Sequence, residues 1–166
     1  MNATLSTRII SLDRNVDPSP ALAALNNAHA AELSFLSRDR FAALIDRAFL
    51  ACRIGEDDAL LLTFDQDAGY DSLNFLWFRD RFDRFVYVDR IVVSPSARGR
   101  GLARRLYEHV FERAQAAGHE RIVCEVNADP PNPASDAFHT ALGFVEVGSA
   151  LLPNRKTVRY FTRGLT

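Results

Sequence analysis

The amino-acid sequence predicts an α+β fold built on a mixed, mostly antiparallel sheet of about seven strands flanked by about four helices. A strand–helix–strand pattern at 85–127 predicts one local parallel pair. Hairpin patterns at 50–64 and 144–162 predict antiparallel pairs on either side of it. The length of 166 residues suits a single domain spanning 1–166.

The N-terminal half supplies the first helices and a hairpin. Residues 5–12 have the pattern of a short strand. Ser19 has the features of an N-cap, with Pro20 at the first helical position, and the helix is expected to run to about residue 31. Ser37 then caps a second helix, whose apolar residues recur at helical spacing. The hairpin follows at 50–54 and 59–64.

The C-terminal half continues with a strand at 85–93, an amphipathic helix at 102–117 and a strand at 121–127. Gly118 stands where a helix C-cap is expected. Asn132 is expected to cap a short helix that Gly143 ends. The predicted buried face of that helix consists of apolar residues: Ala134, Ala137, Phe138, Ala141 and Leu142. Residues 144–147 and 157–162 close the sheet.

Charge and cysteine content exclude several classes of function. Lys+Arg number 20 against 21 Asp+Glu, so no basic surplus points to nucleic acid or to a membrane surface. Cys52 and Cys124 each lie in an apolar run, which is typical of buried thiols and gives no metal-ligand spacing. No apolar run reaches the roughly 18 residues of a membrane span, so we expect a cytoplasmic protein without a leader.

A glycine-rich turn is the sharpest feature of the sequence. The strand ending at 93 leads through a proline turn to Gly99 and Gly101, and then into the amphipathic helix. Backbone N–H groups at a helix start lack intrahelical partners, and glycines let phosphate oxygens approach them without a metal. Arg98 and Arg100 can add positive charge. No Lys-Ser/Thr follows, as a P-loop requires, and Arg104 occupies the small third position of a dinucleotide fingerprint.

The turn resembles motif A of the GNAT N-acetyltransferase superfamily, Arg/Gln-x-x-Gly-x-Gly/Ala. The motif is met at Arg98, Gly101 and Ala103, and the usual lead-in is met at Val93, Pro95, Arg98 and Gly99. A second block of that family, Asn-x-x-Ala-x-x-Phe-Tyr-x-x-x-Gly-Phe, resembles the segment with Asn132, Ser135, Phe138, Gly143 and Phe144. The sequence likeness covers about residues 85–147. Before residue 85, only the predicted order of helices and strands resembles the GNAT fold.

The resemblance implies an acetyl-CoA-dependent enzyme without a metal. It implies that the CoA pyrophosphate binds at the turn: Arg98, Gly99, Arg100, Gly101, Leu102 and Ala103. It implies that the pantetheine arm pairs with the preceding strand and contacts the second block: Ile91, Val92, Val93 and Asn132.

Position 139 departs from the family, because His139 replaces the common tyrosine that protonates the leaving thiolate. A CoA thiol has a pKa of about 8.5, so a histidine is an adequate donor, and the alternative is a structural hydrogen bond. The acceptor ammonium, with a pKa of about 10, must first lose a proton. Asp89 is the predicted base because it interrupts an apolar strand. The alternatives are a structural ion pair at Asp89, or Glu125 or Glu32 as the base.

We expect the acceptor to lie under the aromatic connection at 65–84. This connection forms a lid or pocket wall over the acceptor or, alternatively, a small satellite core. The predicted acceptor contacts are Trp77, Phe78, Tyr87, Asn27 and Glu32. The sequence predicts transfer of an acetyl group to a small amine or amino acid. The alternatives are a protein N-terminal acetyltransferase and a non-catalytic acyl-CoA-binding module. We expect no nucleic-acid or membrane partner, and the oligomeric state stays open, with a homodimer as one form.

Overall fold

The computed structural model describes residues 8–13, 19–29, 33–129 and 131–166. The helices are α1 (Pro20–Ala28), α2 (Arg38–Arg47), α3 (Leu73–Arg79), α4 (Leu102–Ala116) and α5 (Pro133–Ala141), with a 3₁₀ turn at Pro95–Ala97. The strands are β1 (Ile9–Ser11), β2 (Leu50–Ile54), β3 (Ala59–Asp65), β4 (Phe85–Val93), β5 (Arg121–Asp129), β6 (Val145–Leu151) and β7 (Thr157–Gly164). In these ranges no helix is long and apolar enough to cross a membrane.

All seven strands form one sheet in the order β1-β2-β3-β4-β5-β7-β6. Only the pair β4–β5 is parallel among the described strands, and the others are antiparallel. Helices α1, α2 and α3 bury their apolar residues in a core on one face, and α4 and α5 contribute to the core on the other face. The predicted α+β class and the mostly antiparallel sheet are confirmed.

The predicted caps explain where the helices begin. Ser19 Oγ accepts the Leu22 N–H at 3.2 Å, and Ser37 Oγ accepts the Arg40 N–H at 3.1 Å. Each bond satisfies one N–H that the helix itself leaves unpaired. Two predicted bounds differ from those in the structure. β1 begins at Ile9, with 5–7 outside the described residues, and α1 ends at Ala28.

The aromatic connection contains a helix that the sequence did not predict. In α3, Phe75 and Phe78 are fully buried and join the core on the α1 face of the sheet. Part of the segment therefore belongs to the main core, as the satellite-core alternative anticipated in part, while Tyr70, Ser72 and Asn74 line a cleft, as a pocket wall would. The structure consequently has five described α-helices where the sequence predicted about four.

The buried face of α5 was predicted only in part, since Phe138 and Leu142 are half-buried against the core. Ala134, Ala137 and Ala141 are exposed, whereas His139 is only 6% exposed. The helix therefore turns His139 inward, and the ring can be buried because both imidazole nitrogens have hydrogen-bond partners. This rotation brings position 139 to a cleft wall.

Strand β4 contains a β-bulge at Asp89. Val88 is paired with Thr63 and Arg90 with Leu62, so Asp89 is an extra residue without a partner in β3. The bulge shifts the alternation of side chains along the strand. Tyr87 and Val92 consequently contribute to the same core although they are an odd number of residues apart.

Candidate active site

The parallel strands β4 and β5 separate soon after they begin. They pair only from Phe85 to Tyr87, opposite Arg121 to Val123. Beyond Tyr87, β4 remains bonded to β3 and β5 to β7, so a gap opens between the two central strands. In an open sheet, a gap at the carboxyl ends of parallel strands is a common ligand site.

Two clefts flank this gap and share part of their walls. The first cleft, of about 200 Å³, extends toward α4 and α5, and the second cleft, of about 230 Å³, extends toward the β6–β7 connection. The residues that line both are Leu33, Asp89, Glu125 and Asn127. The shared wall makes the two clefts halves of one site divided by two carboxylates.

The glycine turn, residues 98–103, lines a third groove of about 290 Å³ at the start of α4. Gly99 and Gly101 have φ of +80° and +72°, a region that side chains with a Cβ rarely adopt. A Cβ added at either glycine would meet no heavy atom within 4 Å, so it would project into open space. The backbone at this turn is therefore exposed to a ligand on a side that only glycine leaves clear.

The first turn of α4 supplies unpaired donors to that groove. The first intrahelical bond runs from the Arg105 N–H to the Gly101 carbonyl, so the N–H groups of residues 102–104 precede the helical ladder. Arg98 Nη2 lies 3.2 Å from His29 Nε2, and Arg100 Nη1 lies 3.8 Å from an Asp58 carboxylate oxygen. Donors from the helix start together with arginines are suited to a phosphate.

The other predicted CoA-binding residues follow the same path. Val93 lines the groove at the turn, and Ile91 lines the first cleft, while Val92 packs in the core between them. Asn132 also lines the first cleft, where its Oδ1 accepts the Ser135 N–H at 3.3 Å. The edge of β4 that faces the gap therefore runs from the first cleft toward the turn.

His139 forms hydrogen bonds inside the wall of the first cleft. Nδ1 lies 2.7 Å from the Ser135 carbonyl, which can only accept, so Nδ1 carries the proton. Nε2, 2.8 Å from the Tyr107 hydroxyl, therefore accepts from it. Burial lowers the pKa of His139. The ring is accordingly a neutral imidazole with both nitrogens engaged.

Cys124 lies beside this pair and lines the first cleft. Burial, and next the charge of Glu125, raise the pKa of its thiol, so it stays protonated at neutral pH. A neutral thiol is a poor nucleophile. Both cysteines are buried and free, as predicted.

Glu125 lies at the boundary of the two clefts. Its Oε1 accepts the Tyr87 hydroxyl at 2.9 Å and the Asn74 amide at 3.1 Å, whereas its buried Oε2 has no hydrogen-bond partner in the described residues. Burial raises its pKa from 4.5 to about 7, and the charge of Asp89 acts in the same direction. A carboxylate with that pKa is half ionised near neutrality.

Asp89 has a different environment from Glu125 although both line the two clefts. Its Oδ1 accepts the Tyr70 hydroxyl at 2.9 Å, and its Oδ2 accepts Arg90 Nε at 3.1 Å. Burial raises its pKa, and the adjacent Arg90 guanidinium opposes that rise. Both oxygens are thus engaged in an ion pair and a hydrogen bond, as the structural alternative for this residue anticipated.

Arg90 joins β4 to the loop after α1. Its Nη1 donates to Asn26 Oδ1 and to the Leu33 and Ser34 carbonyls, and its Nη2 donates to Ser34 Oγ at 3.2 Å. Ser34 has a φ of +63°, which is unusual for a residue other than glycine. The buried guanidinium therefore fixes a strained loop that forms one wall of the second cleft.

The predicted acceptor contacts fall into three groups. Tyr87 lines the second cleft, and its contact with the acceptor stays a prediction. Asn27 uses its side-chain amide on the loop, where Nδ2 donates to the Leu36 carbonyl and Oδ1 accepts the Leu36 N–H. Glu32 lies outside the described residues. Asn27 contacts no described cleft, so its role in binding stays a prediction.

Neither Trp77 nor Phe78 lines either of the two clefts. Phe78 is fully buried. The Trp77 ring is stacked on Tyr160 with centroids 4.1 Å apart, and the Arg81 guanidinium lies 3.9 Å from the opposite side of it. A Cβ on Gly148 would come within 2.5 Å of the indole. This packing gives Trp77 a structural environment, and its predicted contact with the acceptor has no support from the geometry.

Several residues of the site were not singled out from the sequence. They are Tyr70, Asn74, Arg90, Tyr107 and Lys156. Arg90 could have been noticed, because it stands beside Asp89 within an apolar strand. Tyr107 lies in the predicted amphipathic helix, but nothing in the spacing shows that its hydroxyl meets His139.

No group of three or more potential metal ligands occurs in the part of the chain that the structure describes. The sequence model of the acetyltransferase (GNAT) family matches residues 25–144, which is most of the chain. The chain belongs to the GNAT acetyltransferase family. The family resemblance seen in the two sequence blocks is thereby confirmed, and the enzyme class is that of an acetyltransferase.

Solved structures share this fold at low sequence identity. The ribosomal-protein-S18-alanine N-acetyltransferase of Escherichia coli is 21% identical, with a TM-score of 0.65 over 96% of this chain and 94% of its own. The yncA protein of Salmonella typhimurium, solved with acetyl-CoA, is 17% identical, with a TM-score of 0.68 over 96% and 94%. The NatC complex with Gag peptide and CoA is 15% identical, with a TM-score of 0.70 over 96% and 98%. No curated protein sequence matches significantly.

Proposed function

We propose that this acetyltransferase moves the acetyl group of acetyl-CoA directly to a small polar amine held in the second cleft. The observation that carries the proposal is the shared wall of the two clefts, where Glu125 and Asp89 face the donor side and the acceptor side together. A thioester in the first cleft and an amine in the second would meet at that wall. Orientation of two reactants in one site is a major source of rate.

The glycine turn fits a CoA pyrophosphate. Open space beside Gly99 and Gly101, unpaired N–H groups at the start of α4, and the nearby Arg98 together form an anion cradle. The exposed edge of β4 at 91–93 would pair with the pantetheine arm, and Asn132 would contact the same arm. Acetyl-CoA supplies an activated thioester, which an amine can attack without a metal.

We propose Glu125, rather than Asp89, as the group that accepts the proton of the acceptor ammonium. Glu125 has an oxygen without a partner and a pKa of about 7, so near neutral pH it can take a proton directly or through a water. Asp89 is held by Arg90 and Tyr70. Its proposed role is therefore to position Arg90 and to raise the pKa of Glu125.

Direct transfer is favoured over an acetylated cysteine. Cys124 is the cysteine that lines the first cleft, and its raised pKa keeps it as a neutral thiol. Neutral His139 has its only N–H on the Ser135 carbonyl, so it must break a hydrogen bond before it can protonate a thiolate. We propose that His139 orders this wall through Tyr107 and Ser135, and that the thiolate takes its proton from water.

A thiol-release assay with acetyl-CoA and a panel of amines tests the proposal, with mass spectrometry of the acetylated products. We expect thermal stabilisation by acetyl-CoA without added metal, and turnover with small polar amines above peptides of ten or more residues. Stabilisation without thiol release from any amine would indicate a non-catalytic binding module. Turnover confined to the long peptides would indicate an N-terminal acetyltransferase.

A further inference from the structure

Helix α3 carries an amide side chain to Glu125. Asn74, in the first turn of the helix, lines the second cleft, and its Nδ2 donates to Glu125 Oε1 at 3.1 Å. Its Oδ1 accepts the Tyr160 hydroxyl at 2.8 Å. An ionised carboxylate can only accept hydrogen bonds, so the amide NH2 must face Glu125 and the amide oxygen must face Tyr160. The two partners therefore fix the orientation of the amide.

The packing of α3 holds this amide in place. Phe75, the residue after Asn74, is fully buried in the core. Tyr160 contacts the helix twice, because its ring is stacked on Trp77 and its hydroxyl donates to Asn74. A side chain that is held by packing and by a hydrogen bond of its own is suited to position a reacting group.

The two oxygens of the Glu125 carboxylate have unequal surroundings. Oε1 accepts both the Tyr87 hydroxyl and the Asn74 amide, whereas the buried Oε2 has no hydrogen-bond partner in the described residues. A proton that bound to Oε1 would compete with these two donors. A proton on Oε2 would leave Oε1 as a carbonyl oxygen that still accepts both bonds. The same contacts therefore suit the ionised and the neutral form of Glu125.

We propose that Asn74 is a positioning residue that holds the Glu125 carboxylate by Oε1 and leaves Oε2 to receive the proton of the acceptor ammonium. The inference rests on the proposed function in one respect, because it takes Glu125 to be the base. In that step the N–H bond of the ammonium breaks and an O–H bond forms at Oε2. The electron pair stays on the nitrogen, which can then attack the thioester, and Asn74 exchanges no proton.

The hydrogen bond from Asn74 also affects the ionisation of Glu125. Burial is the largest influence on the pKa of Glu125 and raises it, whereas the bonds from Tyr87 and Asn74 lower it. Loss of the Asn74 bond should therefore raise this pKa further, because the ionised form loses a donor.

Other groups around Glu125 are the same in the wild type and in variants at Asn74. The charge of Asp89 raises the pKa of Glu125, and the cations Arg90 and Lys156 line the same cleft. The remaining titratable neighbours have raised pKa values and stay neutral near pH 7: Tyr70, Tyr107, Cys124 and Tyr160. A difference between the titrations of wild type and variant therefore reports on Asn74.

Three variants and one control test the proposal. Asn74→Leu removes the amide at similar size, Asn74→Asp replaces the donor by a carboxylate, and Tyr160→Phe removes the hydroxyl that orients the amide. Leu73→Ala is the control, since Leu73 is the exposed neighbour of Asn74 in the same helix. The pH dependence of kcat and kcat/KM is measured for each. Glutamate labelled with carbon-13 at its δ position gives the pKa of Glu125 by NMR in the absence of acceptor, and Glu125→Gln identifies the signal.

We expect Asn74→Leu to move both the NMR titration of Glu125 and the acidic fall in kcat/KM up by about one pH unit. Asn74→Asp should move both further in the same direction, because a second carboxylate lies beside the first. Tyr160→Phe should give a smaller shift of the same sign, and Leu73→Ala should give none. The kcat should fall more than the acceptor KM rises, since Asn74 acts on the base rather than on the acceptor.

An NMR titration of Glu125 that stays at its wild-type position in Asn74→Leu and Asn74→Asp would overturn the inference. So would a rise in acceptor KM alone, which would make Asn74 a contact of the acceptor. If Asn74→Leu does not fold, Asn74→Asp decides, because it keeps an acceptor for the Tyr160 hydroxyl. A shifted titration without acetyl transfer, or with an unmoved rate profile, would keep the contact role of Asn74 and reject Glu125 as the base of the proposed function.

Discussion

The glycine turn and the second cleft border the same strand opening but are assembled in different ways. The turn consists of six consecutive residues, 98–103, and it presents mainly backbone N–H groups. The second cleft draws its side chains from separate parts of the chain, including Ser34, Tyr70, Glu125 and Lys156. A ligand that binds to backbone can be shared by many sequences of one fold, whereas a ligand that binds to side chains is chosen by each sequence. The difference agrees with the proposed binding of the common donor at the turn and of the particular acceptor in the second cleft.

Glu125→Gln should have the largest effect, because it removes the proposed proton acceptor but leaves the turn intact. We expect kcat to fall by about 10²- to 10⁴-fold, the usual range for acid–base groups. Acetyl-CoA affinity should stay near wild type in calorimetry. In the wild type, kcat/KM should fall as the pH drops through about 7, because protonation inactivates the base. The variant should lack this fall, which is the acidic limb of the pH–rate profile.

Glu120→Gln is the matched control, since Glu120 is exposed and precedes the same strand. A Glu125→Gln enzyme with near wild-type kcat and an unchanged acidic limb would remove Glu125 from the mechanism.

Gly101→Val should impair acetyl-CoA binding at the glycine turn. A Cβ branch at φ +72° projects into the space that phosphate oxygens would use. Each charge-assisted hydrogen bond lost should weaken acetyl-CoA binding by about 10- to 100-fold. Calorimetry on the folded variant measures this, with Gly69→Ala as a control at an exposed glycine without a positive φ. Normal CoA affinity in a folded Gly101→Val protein would show that the turn is not the cradle.

Asp89→Asn should have an intermediate effect, confined to the acceptor side. Loss of the Asp89 charge removes one cause of the raised pKa of Glu125 and leaves Arg90 with less compensation. Both changes lower the pKa of Glu125, so the acidic limb of the pH–kcat profile should move to lower pH. The acceptor KM should rise several-fold as the Arg90 contacts to the loop loosen. A loss of kcat as large as that of Glu125→Gln would instead make Asp89 the base.

His139→Phe should have the smallest effect on rate, below about tenfold in kcat, because the neutral ring donates its proton to a backbone carbonyl. We expect a lower melting temperature, since the Tyr107 hydroxyl loses its partner in a buried site. Steady-state kinetics and thermal unfolding measure the two effects separately. A fall of 10²-fold or more in kcat, partly restored by His139→Tyr, would make the histidine the proton donor to the thiolate after all.

The sequence predicted the glycine turn well because its determinants are consecutive. Glycine spacing, the proline lead-in and helix periodicity all act over a few residues, so they can be read without knowledge of the fold. The same holds for the caps at Ser19 and Ser37. Only the positive φ values and the open space beside Gly99 and Gly101 required the structure.

The second cleft was harder to predict because its contacts join distant segments. Glu125 was only an alternative base, since a strand pattern does not show that one carboxylate oxygen is unpaired and the other is not. Helix α3 was not predicted because a segment of seven residues with several aromatics is compatible with a loop or a helix equally well. Trp77 was expected at the acceptor because a large aromatic in a long connection resembles a pocket wall. Its stacking partner Tyr160 is distant in sequence.

The bulge at Asp89 lets strand β4 carry one extra residue, with its carboxylate, without changing the faces of the residues that follow. Before the bulge, Val86 and Val88 pack toward the α4 side of the sheet, and after it Ile91 and Val93 do so. Deleting Asp89 would remove the bulge and restore regular alternation, because Val88 and Ile91 would then be two residues apart and each later side chain would keep its face. Arg90 would still face the loop that it holds, but it would lose the Asp89 carboxylate that accepts its Nε. A family member that lacked this one residue could keep the glycine turn in sequence and still have to build its acceptor site from different side chains.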